Sequence, residues 1–223
     1  MINMKNIAEV RRDYKLETLE KSGTLDNPIS QFEVWWKEVI ESNIDESNAM
    51  TLCTVGANNH PSARIVLLKG FSSAGFVFFT NYESRKATDI AANPHASLVF
   101  FWKELERQVR VEGIIEKVNS TESDEYFNSR PEASKIGAWV SPQSKVIASR
   151  ETLEETEANL IQQYDGKTIP RPPHWGGYLV KPSMIEFWQG RPGRLHDRIR
   201  YSCDTANDKV TENNEWIKER LAP

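Results

Sequence analysis

The sequence predicts a mainly β protein with flanking helices, an α+β barrel or strongly curled sheet. Short runs rich in Val, Ile, Leu, Thr and Phe recur between residues 49 and 118 with links of only a few residues, the pattern of an antiparallel meander. One helical segment breaks into them, so the regular strand–helix alternation of a doubly wound fold is missing. Neither GxGxxG nor GxxxxGK(S/T) occurs, so the two standard nucleotide-binding loops are absent.

Taken in order, residues 4–21 carry Ile7, Val10 and Tyr14 at spacings of three and four, which predicts a weak amphipathic helix ended by Lys21-Ser22-Gly23. The segment has too few apolar residues to stand alone and reads as an arm lying on another surface. Arg11 and Tyr14 would share one of its faces. Asp26-Asn27-Pro28 is a helix start, a capping residue followed by Pro at the first helical position. Phe32, Trp35, Trp36, Val39 and Ile40 then form a broad apolar stripe, which makes these tryptophans core.

From residue 49 the period changes. Residues 49–55, 62–69 and 75–80 read as strands, with turns at 56–61 and 72–75. Residues 83–92 read as a helix ended by Asn93-Pro94. Strands at 95–102 and 107–118 follow, the second with Val109, Val111 and Ile115 on one face and Gln108, Arg110 and Glu112 on the other. Residues 120–129 and 131–140 form a helix pair broken at Arg130-Pro131. A third helix spans 149–165, with Thr152 and Glu155 spaced for a capping box and Gly166 as its stop. Strands return at 175–181, 184–188 and 195–203. Residues 204–214 are a polar surface loop, and 216–223 close the chain.

The bulk numbers narrow the function. With 39% hydrophobic and 27% charged residues the chain is a soluble globular protein. A net charge of −4 opposes a general nucleic-acid binder. Cys53 and Cys203 are the only cysteines, are far apart and form no CxxC, so free thiols in a reducing compartment are expected. No apolar run approaches the ~20 residues of a membrane span, and no secretory signal is evident. The cytoplasm is the expected location. His60, His95, His174 and His196 show no HExxH spacing, so no metal site is expected. GxSxG is also missing.

What remains is a repeated pairing of cations with hydroxyls near strand ends. Arg64 and Lys69 flank Ile65-Val66-Leu67-Leu68 and, five apart on an unbroken strand, would point to opposite faces. Ser84-Arg85-Lys86 opens a helix, where backbone N–H groups favour phosphate. Tyr126, Arg130 and Ser134 recur at spacings of four, and Gln143-Ser144 follows a Ser-Pro turn. In the stretch IEFWQGRPGRLHDR from Ile185 to Arg198, an extended second half would put Arg194, His196 and Arg198 on one face. Taken singly each is an exposed cation. Together they suit one or two phosphate-bearing ligands.

These residues also carry a resemblance. Ile185-Glu186-Phe187-Trp188-Gln189, four residues, then Arg194-Leu195-His196-Asp197-Arg198 resembles the signature of the pyridoxine (pyridoxamine) 5′-phosphate oxidases, with every defined position present. Further matches include Arg64 to Lys69, Ser84-Arg85-Lys86, Leu105-Glu106-Arg107-Gln108-Val109, Tyr126-Phe127, Ser129-Arg130-Pro131, Ile136-Gly137-Ala138-Trp139-Val140, Trp175-Gly176-Gly177 and Arg220-Leu221-Ala222-Pro223.

The resemblance implies an FMN-binding split β-barrel, homodimeric, with FMN at the subunit interface. Residues 1–27 would be an arm closing the active site and 28–223 the oxidase domain. FMN would be held by Arg64, Ile65, Val66, Leu67, Leu68, Lys69, Phe79, Thr80, Arg85, Lys86, Gln108, Gln143, Ser144, Trp188 and Arg198. Lys69, Tyr126, Arg130 and Ser134 would clamp the substrate phosphate. Arg194 and His196 would lie at the pyridine ring as the catalytic pair, with Arg11 and Tyr14 closing over it. The implied reaction oxidises pyridoxine 5′-phosphate and pyridoxamine 5′-phosphate at C4′ to pyridoxal 5′-phosphate, with O2 as acceptor and H2O2 as product. Two rivals stand beside it: another flavoenzyme on the same barrel, which absence of the Tyr126, Arg130 and Ser134 clamp would have favoured, and a non-catalytic carrier of FMN or pyridoxal phosphate, which needs the binding groups but not Arg194 and His196.

Overall fold

The computed structural model describes residues 13–203 and 215–223. Its centre is a nine-stranded sheet of order β2-β1-β5-β6-β7-β4-β3, with β8 pairing β7 and β9 pairing β8. The strands are β1 (Ala49–Val55), β2 (Pro61–Leu67), β3 (Gly70–Ser72), β4 (Gly75–Asn81), β5 (His95–Trp102), β6 (Arg107–Lys117), β7 (Trp175–Gln189), β8 (Asp197–Ser202) and β9 (Ile217–Leu221). Every pairing is antiparallel. Helices α1 (Pro28–Glu41), α2 (Arg85–Ala92), α3 (Ser120–Ser129), α4 (Glu132–Val140) and α5 (Glu151–Tyr164) flank the sheet.

Strand β7 sets the curl. It pairs with β6 along nearly its whole length, but with β4 only over Trp175–Val180 and with β8 only over Met184–Gln189. The register slips between Glu112 and Gly113, opposite Pro182. A bulge there bends the ladder and lets one strand serve two neighbours on the same edge. Gly113 is required at this point, because a Cβ would lie 2.0 Å from the Lys181 carbonyl oxygen. The sheet closes into a half-barrel around Phe32, Phe76, Phe78, Phe100, Phe187 and Tyr201, all fully buried.

Helix α1 plugs the barrel. The Asn27 side chain accepts from the N–H groups of Ile29 and Ser30 at 2.9 and 3.2 Å, and Pro28 occupies the first turn. The Phe32 ring meets Phe71 and Phe76 at centroid distances of 4.9 Å. Burying such a ring contributes roughly 1.5–3 kcal/mol. A smaller cluster of Phe127, Ile136, Ile169 and Trp175 attaches α3 and α4 to β7.

Several expectations are corrected. Residues 62–69 are not one strand: β2 ends at Leu67, Leu68 turns into the core at 5% exposure, and β3 begins at Gly70. Residues 175–181 and 184–188 are one strand, because the bulge absorbs Pro182 without ending the ladder with β6. The last signature strand begins at Asp197 rather than at 195. Gly193 and Arg194 both take left-handed φ, 62° and 63°, so Arg194, His196 and Arg198 do not share an extended face. Helix α5 forms no capping box: Glu151 is its first residue and Arg150 its cap, with no side-chain bond. Residues 13–20 are not helical, and the remainder of that predicted helix, with Arg11, lies outside the described residues, as does the 204–214 loop. No described helix is long and apolar enough to cross a membrane.

Candidate functional site

A cleft of about 540 Å³ opens between β2, β4 and the α3–α4 pair. Twelve of the sequence-predicted site residues line it: Arg64, Ile65, Val66, Leu67 and Lys69 from β2 and its exit, Phe79 and Thr80 from β4, Lys86 from α2, Tyr126, Arg130 and Ser134 from the helix pair, and Gln143 from the loop after α4. The break at Leu68 therefore brings Arg64 and Lys69 to one cavity rather than to opposite faces. Asn81, Pro131 and Trp175 also line the cleft and receive no role from the sequence alone. Asn81 follows Phe79-Thr80 directly, and Trp175 pairs with it across β4 and β7.

Two cations meet at one end of the cleft. Arg64 donates through Nη1 to the Thr54 hydroxyl at 2.7 Å and the Leu52 carbonyl at 3.2 Å, and through Nη2 to Ser62 at 2.7 Å. Thr54 passes the contact on to Asp89 at 2.8 Å, and Asp89 lies 3.6 Å from Arg64. Lys86 is buried and reaches only neutral oxygens: Thr80 at 3.1 Å, Ser84 at 3.2 Å and Gln143 at 2.5 Å. Burial, helped by the nearby Arg64 charge, pulls its pKa down to about 8. Burial also lowers Arg64, against the pull of Asp89. Two partly desolvated cations, with a carboxylate on Arg64 alone, are short of negative charge, which is what an anion would supply.

At the other end stands Arg130, whose Nη1 is buried with no hydrogen-bond partner. Burial pushes its pKa down. Orphaned guanidinium donors are costly unless something completes them. Tyr126, Ser134 and Lys69 stand around it in the same cavity.

The remaining predicted residues lie elsewhere on the chain. Cross-strand register sets Gln108 beside Trp188, and Trp188 beside Arg198. Arg198 makes a double contact with the nearly buried Glu186, Nε to Oε1 at 2.9 Å and Nη2 to Oε2 at 3.0 Å, and gives Nη1 to the Ala222 carbonyl at 2.9 Å. These bonds to Glu186 raise the Arg198 pKa. The His196 ring lies 4.7 Å from Trp188, and Tyr14 lies 5.6 Å from Trp188 and 5.8 Å from His196. His196 accepts the Arg191 backbone N–H at Nδ1, 3.1 Å away. Burial, then the Arg194 charge, lowers the His196 pKa. Arg194 is exposed beside it, Arg85 is exposed at the start of α2, Ser144 is exposed with φ 70°, and Leu68 is in the core.

The arm is tied down around this second cluster. The Glu106 carboxylate accepts from the N–H groups of Lys15 and Leu16 at 2.8 and 3.1 Å. Asp197 accepts from the Leu19 N–H at 3.1 Å and from Arg220 at 2.7 Å. Arg191 reaches the Glu17 carbonyl at 3.1 Å. Glu106, Glu186 and Asp197 carry no candidate role from sequence, because a carboxylate that orients other groups looks like any surface acid until its partners are known.

Among the described residues no group of His, Cys, Asp or Glu is placed to hold a metal ion. The donors present are guanidinium, ammonium, amide and hydroxyl, a set suited to phosphate oxygens and to the carbonyl edges of a planar ring.

The family model described as pyridoxamine 5′-phosphate oxidase matches residues 36–163, and the one described as the pyridoxine 5′-phosphate oxidase C-terminal dimerisation region matches residues 175–223. A pyridoxine/pyridoxamine 5′-phosphate oxidase of Cupriavidus metallidurans is 52% identical over 220 residues, spanning 99% of this chain and 100% of its own. One of the same name from Burkholderia ambifaria is 53% identical over the same length and coverage. Among solved structures, PhzG from Burkholderia lata 383 in complex with tetrahydrophenazine-1-carboxylic acid superposes with a TM-score of 0.85 at 26% identity, covering 95% of this chain and 100% of that one. A pyridoxamine 5′-phosphate oxidase-related, FMN-binding protein of Nostoc punctiforme gives 0.66 at 16% identity over 86% and 97%, a likeness of fold alone. Two adjacent family models and full-length relatives more than half identical leave one conclusion: the chain belongs to the pyridoxamine 5′-phosphate oxidase family.

Proposed function

We propose that the protein is an FMN-dependent oxidase that converts pyridoxine 5′-phosphate and pyridoxamine 5′-phosphate to pyridoxal 5′-phosphate. The observation that carries this reading is the charge pattern of the cleft. Arg130 has an orphaned donor and Lys86 touches only neutral oxygens, so the cavity is built for two anionic groups rather than one. Relatives named for this activity, identical at about half their positions, point the same way.

Arg64 and Lys86, with Arg85, Thr80 and Ser144 nearby, would take the FMN phosphate. Lys69, Tyr126, Arg130 and Ser134 would take the substrate phosphate. Gln108, Trp188 and Arg198 suit the flavin ring. Because Arg198 is already neutralised by Glu186, it is better fitted to a ring carbonyl than to a phosphate.

These two sets belong to different copies of the chain. Trp175 lines the cleft and Trp188 belongs to the second cluster, yet they stand at opposite ends of the 15-residue β7, roughly 40 Å apart along the strand at ~3.3 Å per residue. One FMN is too short to touch both. The sheet face that runs from the cleft to the second cluster exposes Ile65 at the cleft, at 64%, and Phe101 next to Gln108, at 52%, on strands joined through Thr51 and Val99. A second copy covering that face would bury the apolar side chains and place its Gln108, Trp188 and Arg198 over the cleft, making a homodimer with FMN at the interface.

FMN, held by these residues, would supply the two-electron redox chemistry at C4′, with O2 as final acceptor and H2O2 as product. The phosphate clamp fixes the ester, and positioning is most of what the side chains contribute. Arg194 and His196 are the catalytic pair at the pyridine ring. Tyr14 closes over them and excludes water.

The test is spectroscopic. Purified protein supplied with FMN should be yellow, should bleach under nitrogen on adding pyridoxamine 5′-phosphate, and should release peroxide in air. Protein that stays colourless, or whose flavin stays oxidised, removes the proposal. The likeness to PhzG supplies a second reading, with a tricyclic carboxylate in place of the ester. Bleaching by a tetrahydrophenazine carboxylate and not by the phosphate ester would favour it.

A further inference from the structure

Arg130 is a half-buried cation that no carboxylate among the described residues pairs with. Its guanidinium carbon sits 4.6 Å from the centre of the Trp175 ring and 5.6 Å from that of Phe127. The Trp175 ring is nearly parallel to two other cleft side chains, 7° from Tyr126 and 14° from Phe79. Phe79 and Tyr126 stack on each other at 4.0 Å. The stack is itself fixed. Trp175 is 6% exposed, its carbonyl accepts from Arg171 Nη1 at 2.6 Å, and Arg171 Nε reaches Asp124 on α3 at 2.6 Å.

A carboxylate facing Arg130 would offset its desolvation but would use up its donors and repel an incoming anion. An aromatic face attracts the cation through its quadrupole and uses no N–H group. The five donors of the guanidinium then stay available in a fixed plane.

Resting on the phosphate-ester reading above, we propose that Trp175 is a positioning residue for the substrate's phosphate. Its ring holds Arg130 charged but unpaired, and its stack with Phe79 and Tyr126 sets the Tyr126 hydroxyl in the same clamp. The ligand class is a dianionic phosphate monoester. Affinity for that group depends on the ring face at position 175 and not only on the side chains that touch phosphate.

The experiment uses flavin-loaded enzyme and the variants Trp175→Met, which keeps bulk but loses the ring, and Trp175→Phe, which keeps a ring face. The readouts are KM and kcat for pyridoxamine 5′-phosphate and the inhibition constant for inorganic phosphate. Trp175→Met should raise KM and the phosphate inhibition constant together, each about tenfold, with most of the loss in KM rather than kcat. Trp175→Phe should recover most of both. A fall confined to kcat, or an unchanged phosphate inhibition constant, overturns the assignment. Should Trp175→Met fail to fold, Trp175→Phe decides alone: a weakened phosphate constant as large as that of Arg130→Met would show that a ring face does not suffice. Wild-type enzyme that turns over no phosphate ester removes the underlying reading instead, which keeps the two failures apart.

Discussion

The Lys86 ammonium donates to the Gln143 side-chain oxygen across 2.5 Å, joining the first turn of α2 to the loop after α4. Among the described residues no carboxylate faces this ammonium. Thr80, Ser84 and Gln143 are neutral, Arg64 is a like charge, and Asp89 is engaged by Thr54 and Arg64.

Flavin binding should therefore take up protons. The pKa of Lys86 in the free protein, about 8, lies below its ordinary value of 10.5, and a bound phosphate raises it again. Well below pH 8 the lysine is charged in both states and adds no pH dependence to binding. Above pH 8 the free protein must be recharged, so FMN affinity falls as pH rises from 8 towards 10.5. Calorimetry in buffers of different ionisation enthalpy measures the uptake. Lys86→Met should weaken binding by roughly tenfold or more and flatten the dependence. A slope that survives in Lys86→Met would assign the proton to another group.

Glu186→Leu should destabilise the fold by roughly 2–3 kcal/mol. Glu186 is 3% exposed and is the double partner of Arg198, so removing it strands a cation. The double variant Glu186→Leu with Arg198→Met should recover most of that loss while flavin affinity stays low. Urea midpoints test the first statement and flavin titration the second. No recovery in the double variant would mean that Glu186 stabilises through contacts other than Arg198.

Gly190→Ala should impair the arm while leaving the flavin in place. A Cβ at 190 would stand 2.6 Å from Tyr14 Cγ and 2.8 Å from Tyr14 Cβ, closer than real contacts allow. Tyr14 must then leave Trp188 and His196. The expected result is a several-fold rise in KM with normal flavin content, and faster proteolysis between residues 13 and 20. Unchanged KM would remove Tyr14 from the substrate-facing wall.

His196 should stay neutral to a pH lower than its ordinary 6.5, carrying its proton on Nε2. The Arg191 N–H can only donate, so Nδ1 must accept. Protonation at Nδ1 would break that bond and face the Arg194 charge, one of the two causes that lower this pKa. Nitrogen NMR of the two ring atoms reads the tautomer and midpoint directly. Arg194→Ala should shift the midpoint upwards. Detection of the proton on Nδ1 would point to a general-base role through Nε2.

Much of the cleft was legible in the chain. Cations spaced along one segment, such as Arg64 and Lys69 or Tyr126, Arg130 and Ser134, read as anion groups because local spacing fixes their direction. The convergence of Arg64 and Lys69 was not legible, because it depends on Leu68 turning inward, a choice made by the core. The strand start at Asp197 was missed for a related reason: Arg194 has a left-handed backbone that nothing in its side chain announces. Trp175 had no role in sequence because its partners Arg130, Tyr126 and Phe79 are at least 45 positions away and meet it only through β4, β7 and α3. Long strands were easier to find than their junctions, as at Pro182, where one extra residue of β7, Ser183, bulges between the Gly113 and Glu112 pairs and keeps two predicted pieces in one ladder.

The contact between the Leu19 carbonyl and Arg220 spans 201 positions, and the same guanidinium holds Asp197. Contacts of such separation form late, since closing a long loop costs entropy before anything rewards it. On the ribosome the segment around Leu19 emerges long before its partners Asp197 and Arg220, which are missing until β8 and β9 follow it out. A nascent chain in which β8 has emerged while Arg220 is still inside the ribosome should thus carry a filled hydrophobic barrel whose leading segment lacks its Arg220 tether, a species that limited digestion of stalled complexes would reveal.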